Sequence, residues 1–368
     1  MNYFRTLLKN ADKTLLILPV IFAVISILMI SSTYYDNGFV LSKSVIVQAA
    51  AYVLGFICMF FLMYIDYQFF ITIEKPLYIG SVLFLLTVYI PGLGYEQFGA
   101  RSWINLGFTT FQPSEIVKIT FVLLFAMYLA RNRQSMQYFK GFIKAFLYAA
   151  PFIAIIAKED MGSGLVFCSI WILMVFFGGI DYKILYRTAL AFIVSLPILF
   201  RFLDDYQKQR ITAFLHPDDT SIEATYQVLQ AKTAIGSGGF FGKGLFQGDL
   251  KTLDFLPVQT SDFIYAVICE EFGFLGGFVV ICLYAVFIYR TALTCHLAGD
   301  LYSGLIVAGF LGMFVFQIFE NIGMTMGVMP VTGITLPFIS YGGSSIVSNM
   351  MALGLILNVN VRSNLYNY

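Results

Sequence analysis

One carboxylate occupies a position where it could do chemistry. Asp262 ends a polar stretch, 202–261, and directly precedes the apolar run from Phe263 to Phe287. An aspartate at a helix start can cap the helix by accepting a hydrogen bond from an early backbone N–H. Beside water, the same carboxylate can act as a general base or hold a divalent cation. The residues alone leave both interpretations open.

Other ionisable residues also carry two interpretations. Glu115 and Lys118 are three positions apart, which favours an ion pair on one helix face. Asp160 stands before Met161, where it can cap a helix or face a site. Arg101 lies two residues before Trp103, an arrangement typical of a headgroup anchor, although a guanidinium also suits a substrate phosphate.

Two stretches rich in small residues need the same comparison. In Gly236–Gly244, five glycines and Lys243 could meet a diphosphate through backbone amides, and a flexible turn explains them equally well. The Walker pattern fails because Ser237 replaces its first glycine and Gly244 replaces its final Ser or Thr. A second group, which includes Ser344, favours close helix packing over catalysis: Pro330, Gly333, Pro337 and 340–345.

The elements that position these groups are apolar helices. Hydrophobic residues make up 59% of the 368 residues, charged residues only 12%, and the mean hydropathy is +0.81, so we expect an integral membrane protein. A balance of 22 basic and 21 acidic residues gives no footprint for nucleic acid. Two histidines distant in sequence and five unpaired cysteines give little support to a zinc site, a Ser-His-Asp triad or disulfides.

About ten membrane-spanning helices are predicted, at about 20 residues per crossing. We therefore expect an all-α fold that forms one polytopic domain over 1–368. The segments are 14–33, 44–65, 76–92, 113–130, 142–157, 163–180, 182–201, 262–289, 301–324 and 337–360.

Basic residues in the short loops predict the orientation. Arg5, Lys9 and Lys13 precede the first helix, and Arg131 and Arg133 follow the fourth, so both places are expected to be cytoplasmic. Both termini then lie inside, while the loop 92–112 and the large loop 202–261, between helices 7 and 8, lie outside. Within the large loop, the apolar spacing of 226–235 predicts an amphipathic helix along the membrane surface.

Five strings together resemble the SEDS family of bacterial cell-wall polymerases, and more closely its RodA branch than its FtsW branch. They appear in family order across nearly the whole chain. The strings are FQPSEIVK at 111–118, DYQKQR at 205–210, QAKTAIGSGG at 230–239, DFI at 262–264 and ISYGGS at 339–344.

The resemblance implies a multi-pass glycosyltransferase of the bacterial cell membrane, with its catalytic side extracytoplasmic. It would polymerise lipid II, an undecaprenyl-diphosphate-linked disaccharide, into the peptidoglycan of the cell wall for elongation and rod shape. Asp262 would be the essential catalytic residue and a ligand for a divalent cation, Mg²⁺ or Mn²⁺, with no organic cofactor. A class B penicillin-binding protein, the transpeptidase, would be the partner, beside membrane lipid. The chain departs from the family string Leu-Pro-Glu-x-His-Thr-Asp, because Val258 and Thr260 replace the glutamate and the histidine.

Transfer of a sugar from a lipid diphosphate needs a base at the acceptor hydroxyl and cationic help for the departing diphosphate. Asp262 can supply the base. The candidates for holding the diphosphate or the sugar are Arg101, Arg210, Lys118, Lys232, Lys243, Glu115, Asp160 and Ser344. A transporter or flippase for the same lipid and a scaffold of a wall-synthesis complex are the alternatives, the first because charges occur within many helices.

Overall fold

The protein is almost entirely helical. The computed structural model describes residues 2–33, 39–97, 100–105, 107, 110–201, 203–219, 221–248 and 260–366. The first elements are α1 (Asn2–Asn10), α2 (Lys13–Thr33), α3 (Lys43–Tyr64), α4 (Phe69–Thr72), α5 (Glu74–Leu86), β1 (Gly94–Gln97), β2 (Ala100–Asn105) and β3 (Thr110–Phe111). There follow α6 (Pro113–Arg131), α7 (Phe139–Glu159), α8 (Met161–Phe177), α9 (Tyr182–Arg201), α10 (Asp205–Leu215), α11 (Glu223–Ser237), α12 (Ile264–His296), α13 (Leu301–Thr325) and α14 (Gly343–Tyr366).

Each of the ten predicted apolar segments contains a helix. In the described part of the chain, α2, α3, α6, α7, α12, α13 and α14 are long and apolar enough to cross a membrane. The chain is therefore an all-α multi-pass membrane protein. Helix α8 is apolar but has only 17 residues, and α5 has 13, so the count of ten crossings stays a prediction.

Three helices form the centre of the bundle. The apolar stretches of α6, α13 and α14 are 78%, 72% and 83% buried, whereas that of α12 is only 28% buried. Close approach between α14 and α3 depends on small residues, because a Cβ on Gly354 would lie 2.5 Å from the carbonyl oxygen of Met59. Helix α9 has no buried residue among those whose burial is described, so it lies at the periphery.

Two regions differ from the predicted pattern. The loop 92–112 contains an antiparallel sheet in the order β1-β2-β3. The last helix begins at Gly343 rather than at 337, because Pro337 lacks a backbone N–H and Phe338 has a φ of 65°, which is incompatible with a right-handed helix.

The large loop is mostly helical where it is described. Helices α10 and α11 fill much of 202–261, and α11 contains the predicted amphipathic segment 226–235. Residues 249–259, and with them Val258, lie outside the described part. The placement of this loop on the outer side of the membrane stays a prediction.

Helix α12 has a break, and the glycine turn, 236–244, forms hydrogen bonds with the backbone on both sides of it. Gly273 has a φ of 66°, which interrupts the helical hydrogen bonds. The backbone N–H groups of Lys243 and Gly244 donate to the carbonyls of Glu270 and Glu271, each at 3.0 Å. On the other side of the break, Phe274 and Leu275 donate to carbonyls of the turn. These turn amides therefore bond within the protein, where the sequence allowed a phosphate cradle.

Candidate functional site

Asp262 lies in a turn in which three successive backbone carbonyls each accept a hydrogen bond. The Thr260 carbonyl accepts from the Tyr341 N–H at 2.8 Å, and the Ser261 carbonyl accepts from the Ser340 hydroxyl. The Asp262 carbonyl accepts from the Asn321 amide at 2.9 Å. Three consecutive residues thus have their backbone fixed just before α12 begins.

The side chain of Asp262 does not cap α12. The N-cap position is Phe263, and no side chain caps this end of the helix. Instead, Oδ1 of Asp262 accepts a hydrogen bond from the Ser261 hydroxyl at 2.8 Å. The capping interpretation of Asp262 is therefore wrong, which leaves its carboxylate available for another role.

A second loop, 326–342, faces this turn, and side chains of three helices donate hydrogen bonds to its carbonyls. Ser26 on α2 donates to the Ile339 carbonyl at 2.7 Å. Gln48 on α3 donates to the Ser340 carbonyl at 3.0 Å, and Tyr284 on α12 donates to Pro337 at 2.5 Å. The loop that borders Asp262 is consequently part of the rigid bundle.

Asp262 and Arg210 meet at an exposed glycine in this loop. A Cβ on Gly333 would lie 3.5 Å from Oδ2 of Asp262 and 3.5 Å from Nη1 of Arg210. The carboxylate and the guanidinium are therefore no more than about 7 Å apart across that point. Because Gly333 has no side chain, no Cβ fills the point between the two charged groups, and the glycine itself is exposed.

Arg210 is held in place by its own helix. The guanidinium lies 4.4 Å from the ring centre of Tyr206, one helical turn earlier on α10, and it donates to the Tyr206 hydroxyl. A capping box between Asp204 and Gln207 fixes the start of α10. Stacking on an aromatic ring leaves the guanidinium positioned for an anion.

Asp160 contributes a second negative charge to this region. Its carboxylate caps α8 by accepting from the Ser163 N–H at 3.2 Å, as the sequence allowed, and it also accepts from the Gln112 amide. The neighbouring Gly162 packs against the loop, since a Cβ there would lie 2.7 Å from the Thr332 carbonyl.

Burial controls the protonation of Asp262. Burial raises the pKa of this carboxyl above the ordinary value of an aspartate, and the negative charge of Asp160 adds to the rise. The hydrogen bond from Ser261 and the positive charge of Arg210 oppose that rise. A carboxylate with a raised pKa is a better proton acceptor than an exposed aspartate.

A groove continues from Arg210 between α10, α11 and the loop. Lys232 stands in it, with its ammonium over Gly327, and Thr225 adds a hydroxyl. The remaining lining is apolar: Ala213, Phe214, Pro217, Ala224, Val228, Leu229, Met329, Pro330 and Val331. A cationic groove with apolar walls suits a molecule that joins a phosphate group to a hydrocarbon chain.

Two predicted cations are paired inside the protein. Lys118 bonds Glu115 at 2.8 Å, and both side chains are almost fully buried, which confirms the predicted ion pair. Lys243 bonds the buried Glu270 at 2.7 Å. Since each ammonium is matched by a carboxylate, we leave Lys118, Glu115 and Lys243 out of the proposed site.

The other predicted residues lie elsewhere around the site. The Ser344 hydroxyl accepts from the backbone N–H of Gln112 at 3.3 Å and so links α14 to the start of α6. Arg101 lies in β2 with its Nε 2.9 Å from where a Cβ on Gly94 would be. The backbone N–H of Arg101 donates to Glu159 at 3.4 Å, next to Asp160 in the chain.

The described residues hold no group of three or more His, Cys, Asp or Glu side chains that could bind a metal ion. Asp262 with Asp160 nearby offers one or two carboxylates. Mg²⁺ is commonly held by that number together with substrate phosphates and water. The donor set therefore fits a cation shared with a phosphorylated substrate.

Sequence reasoning missed Gly333, Tyr206 and Asn321 as parts of the site. Gly333 lies between two prolines, Pro330 and Pro337, and clustered glycine and proline residues indicate a loop with a defined backbone conformation. Tyr206 precedes Arg210 by four positions, which is the spacing of helical neighbours. Asn321 is a polar residue within an apolar helix, and such residues usually have a purpose.

These features define a multi-pass membrane protein with a carboxylate and a guanidinium facing each other at the end of the helix bundle. The family model described as a cell cycle protein, FtsW/RodA/SpoVE, matches residues 6–365. The chain therefore belongs to this family, the SEDS family that the sequence motifs indicated.

Individual relatives agree with this assignment. Stage V sporulation protein E of Bacillus subtilis (strain 168) is 34% identical, with 95% of this chain and 97% of that protein covered. Peptidoglycan glycosyltransferase RodA of Treponema pallidum (strain Nichols) is 31% identical, with 96% and 98% covered. A chain of a solved peptidoglycan synthase complex that coordinates polymerization and crosslinking is 28% identical, with a TM-score of 0.82 and 95% and 97% covered.

Proposed function

We propose that this protein is a peptidoglycan glycosyltransferase that polymerises lipid II into glycan strands. The observation that carries the proposal is the pair of Asp262 and Arg210 on either side of the open space above Gly333. The T. pallidum relative, which is similar over nearly its whole length, is named for the same activity.

The geometry suits glycosyl transfer with inversion at the anomeric carbon. The 4-hydroxyl of the acceptor sugar forms a bond to the anomeric carbon of the donor, and the bond from that carbon to the diphosphate oxygen breaks. The hydroxyl proton passes to the carboxylate of Asp262, and the electron pair leaves with the diphosphate. Arg210 stabilises the negative charge that develops there.

One carboxylate is sufficient for this reaction. Retaining and inverting glycosidases need two, because a poor leaving group must be protonated. A diphosphate leaves as a stable anion and needs cations instead. Arg210 and Lys232 supply them, and the apolar wall of the groove would accommodate the polyprenyl chain.

Asp262 would hold a divalent cation, Mg²⁺ or Mn²⁺, and Asp160, whose charge acts on Asp262, would add negative charge beside it. When bound, it would supply charge neutralisation for the departing diphosphate. An organic cofactor has no part in the proposed reaction.

The orientation follows from the basic residues of the short loops. With about ten crossings, both termini lie in the cytoplasm, and 202–261 forms an extracytoplasmic part of one polytopic domain. Asp262 then opens to the outer face of the bacterial cell membrane.

The partner we propose is a class B penicillin-binding protein, a transpeptidase that cross-links the new strand. Support comes from the solved neighbour, which belongs to a complex that coordinates polymerization with crosslinking. The relative named RodA and the RodA-like motifs support a role in cell-wall elongation and rod shape.

Reconstitution with fluorescently labelled lipid II and the transpeptidase tests the proposal. We expect glycan chains from the wild type and none from Asp262→Ala. Asp205→Ala is the matched control, because the side chain of Asp205 lies in the same loop but is 98% exposed. Movement of lipid II across vesicles without glycan product would support a transporter instead. Partner binding with neither activity would support a scaffold.

A further inference from the structure

Asn321 connects the two segments that form the site. It lies in the last part of α13 and is fully buried. Its side-chain amide donates one hydrogen bond to the Asp262 carbonyl at 2.9 Å and one to the Ile334 carbonyl at 2.8 Å. A single NH₂ group thus joins the turn of Asp262 to the loop that carries Gly333.

Together, the two hydrogen bonds fix the geometry of the site. Ile334 directly follows Gly333, the residue that separates Asp262 from Arg210. Fixing the Asp262 and Ile334 carbonyls to one nitrogen therefore fixes the distance between the carboxylate and the space above Gly333. The preceding residue, Glu320, supports the same loop because it accepts a hydrogen bond from Thr332 at 2.9 Å.

Asn321 also carries a cost that a purely structural residue could avoid. Its Oδ1 atom is buried and has no hydrogen-bond partner among the described residues. An unsatisfied buried polar atom destabilises the folded state. A leucine, which has the same number of side-chain heavy atoms, would avoid that cost but would lose both bonds, so the amide serves the positions of the two carbonyls.

We propose that Asn321 is a positioning residue that sets the carboxylate of Asp262 opposite Arg210. The inference rests on the proposed glycosyltransferase function. Asn321 does not touch the substrate, and it acts by holding the backbone of Asp262 and of the Gly333 loop in one geometry. A misplacement of about 1 Å can cost about 100-fold in rate, so small movements at this point matter.

Asn358 provides a matched control at the other end of the bundle. It is also a fully buried asparagine, and its amide donates to the carbonyls of Leu62 and Met63 at 2.6 and 3.3 Å. These lie near the end of α3, whereas Gln48 near its start bonds the site loop. Fourteen residues of helix separate the two places by about 21 Å.

The experiment compares Asn321→Leu with Asn358→Leu in lipid II polymerisation with the transpeptidase present. We expect Asn321→Leu to lower kcat about 10- to 100-fold while KM stays within about twofold, because only the reacting geometry changes. Asn358→Leu is expected to lower the melting temperature but to keep the wild-type kcat. Asn321→Ser retains one hydroxyl donor and is expected to fall between wild type and Asn321→Leu, which provides a second variant if leucine prevents folding.

Three outcomes would overturn the assignment: an equal kcat for Asn321→Leu and Asn358→Leu, a rise in KM at unchanged kcat, or a wild-type rate for Asn321→Ser. An inactive wild type would instead contradict the proposed function, which separates the two claims.

Discussion

Replacing Arg210 by glutamine removes the positive charge opposite Asp262 and leaves a shorter, neutral polar side chain. The guanidinium contributes in two ways. It lies 3.5 Å from the open point above Gly333, where it can stabilise a leaving diphosphate, and its charge lowers the pKa of Asp262. Arg210→Gln should therefore change both the rate and its pH dependence.

The size of each effect follows from the geometry. Loss of one preorganised donor to a developing anion costs about 100- to 1,000-fold in kcat, or about 3–4 kcal/mol. At a separation of no more than about 7 Å and an effective dielectric constant of about 20, the guanidinium also attracts the Asp262 carboxylate by about 2 kcal/mol. Without that attraction, burial and the charge of Asp160 act unopposed by Arg210, and the pKa of Asp262 rises further.

The sign of the pH effect is therefore fixed. The proposed reaction needs Asp262 as a carboxylate, so we expect activity to be lost as the pH falls through its pKa. A higher pKa moves this acidic limb to higher pH in Arg210→Gln than in the wild type. The assay is the kcat of lipid II polymerisation between about pH 4 and 9, a range that begins near the ordinary aspartate pKa of about 3.9 and therefore covers a raised one.

Lys208→Gln is the control, because this lysine lies on the same helix but pairs with the exposed Asp205 at 3.7 Å. We expect a nearly wild-type rate and an unmoved acidic limb. If the acidic limb of the pH–kcat profile of Arg210→Gln matched that of the wild type, Arg210 would not act on Asp262. The proposed pairing of these two residues would then be wrong.

Two further predictions concern the same point in the structure. Gly333→Ala should lower kcat at least about tenfold, because a misplaced or obstructed reacting group is costly; Gly179→Ala has a similar positive φ of 89° against 76° and should lower only the melting temperature. Asp262→Asn should raise the melting temperature at pH 7, because a partly buried carboxyl with a raised pKa destabilises the folded protein as the pH rises through that pKa and the group ionises. That gain should shrink towards pH 4, and a gain that grew on acidification would contradict the burial of Asp262.

Periodicity and composition predicted much of the fold. A helix occupies each predicted apolar segment, because an apolar chain in lipid must satisfy its backbone groups internally. The start of α14 was misplaced because the run Pro337–Ile339 is apolar without being helical. The hydrogen bonds to this run come from Ser26 and Tyr284, which are distant in sequence, so no local pattern shows that they fix the loop.

The site was only partly predictable for a related reason. Asp262 and Arg210 were recognisable by residue type and motif, since charged residues are rare in this chain. Their closeness depends on Gly333 and Asn321, which bring together positions about 50 to 120 residues apart. Whether a lysine faces a groove or a buried carboxylate is also settled by tertiary packing, and this separates Lys232 from Lys118 and Lys243.

The most direct test of the central claim is the single-turnover rate of joining two lipid II units by Asp262→Asn at saturating substrate. Asparagine keeps the volume and can still accept the hydrogen bond from Ser261, so only the proton acceptor is lost. We expect the rate to fall about 100- to 10,000-fold with lipid II binding unchanged. A rate within about twofold of wild type in the folded variant would show that Asp262 is not the base, and the account of this site would be wrong.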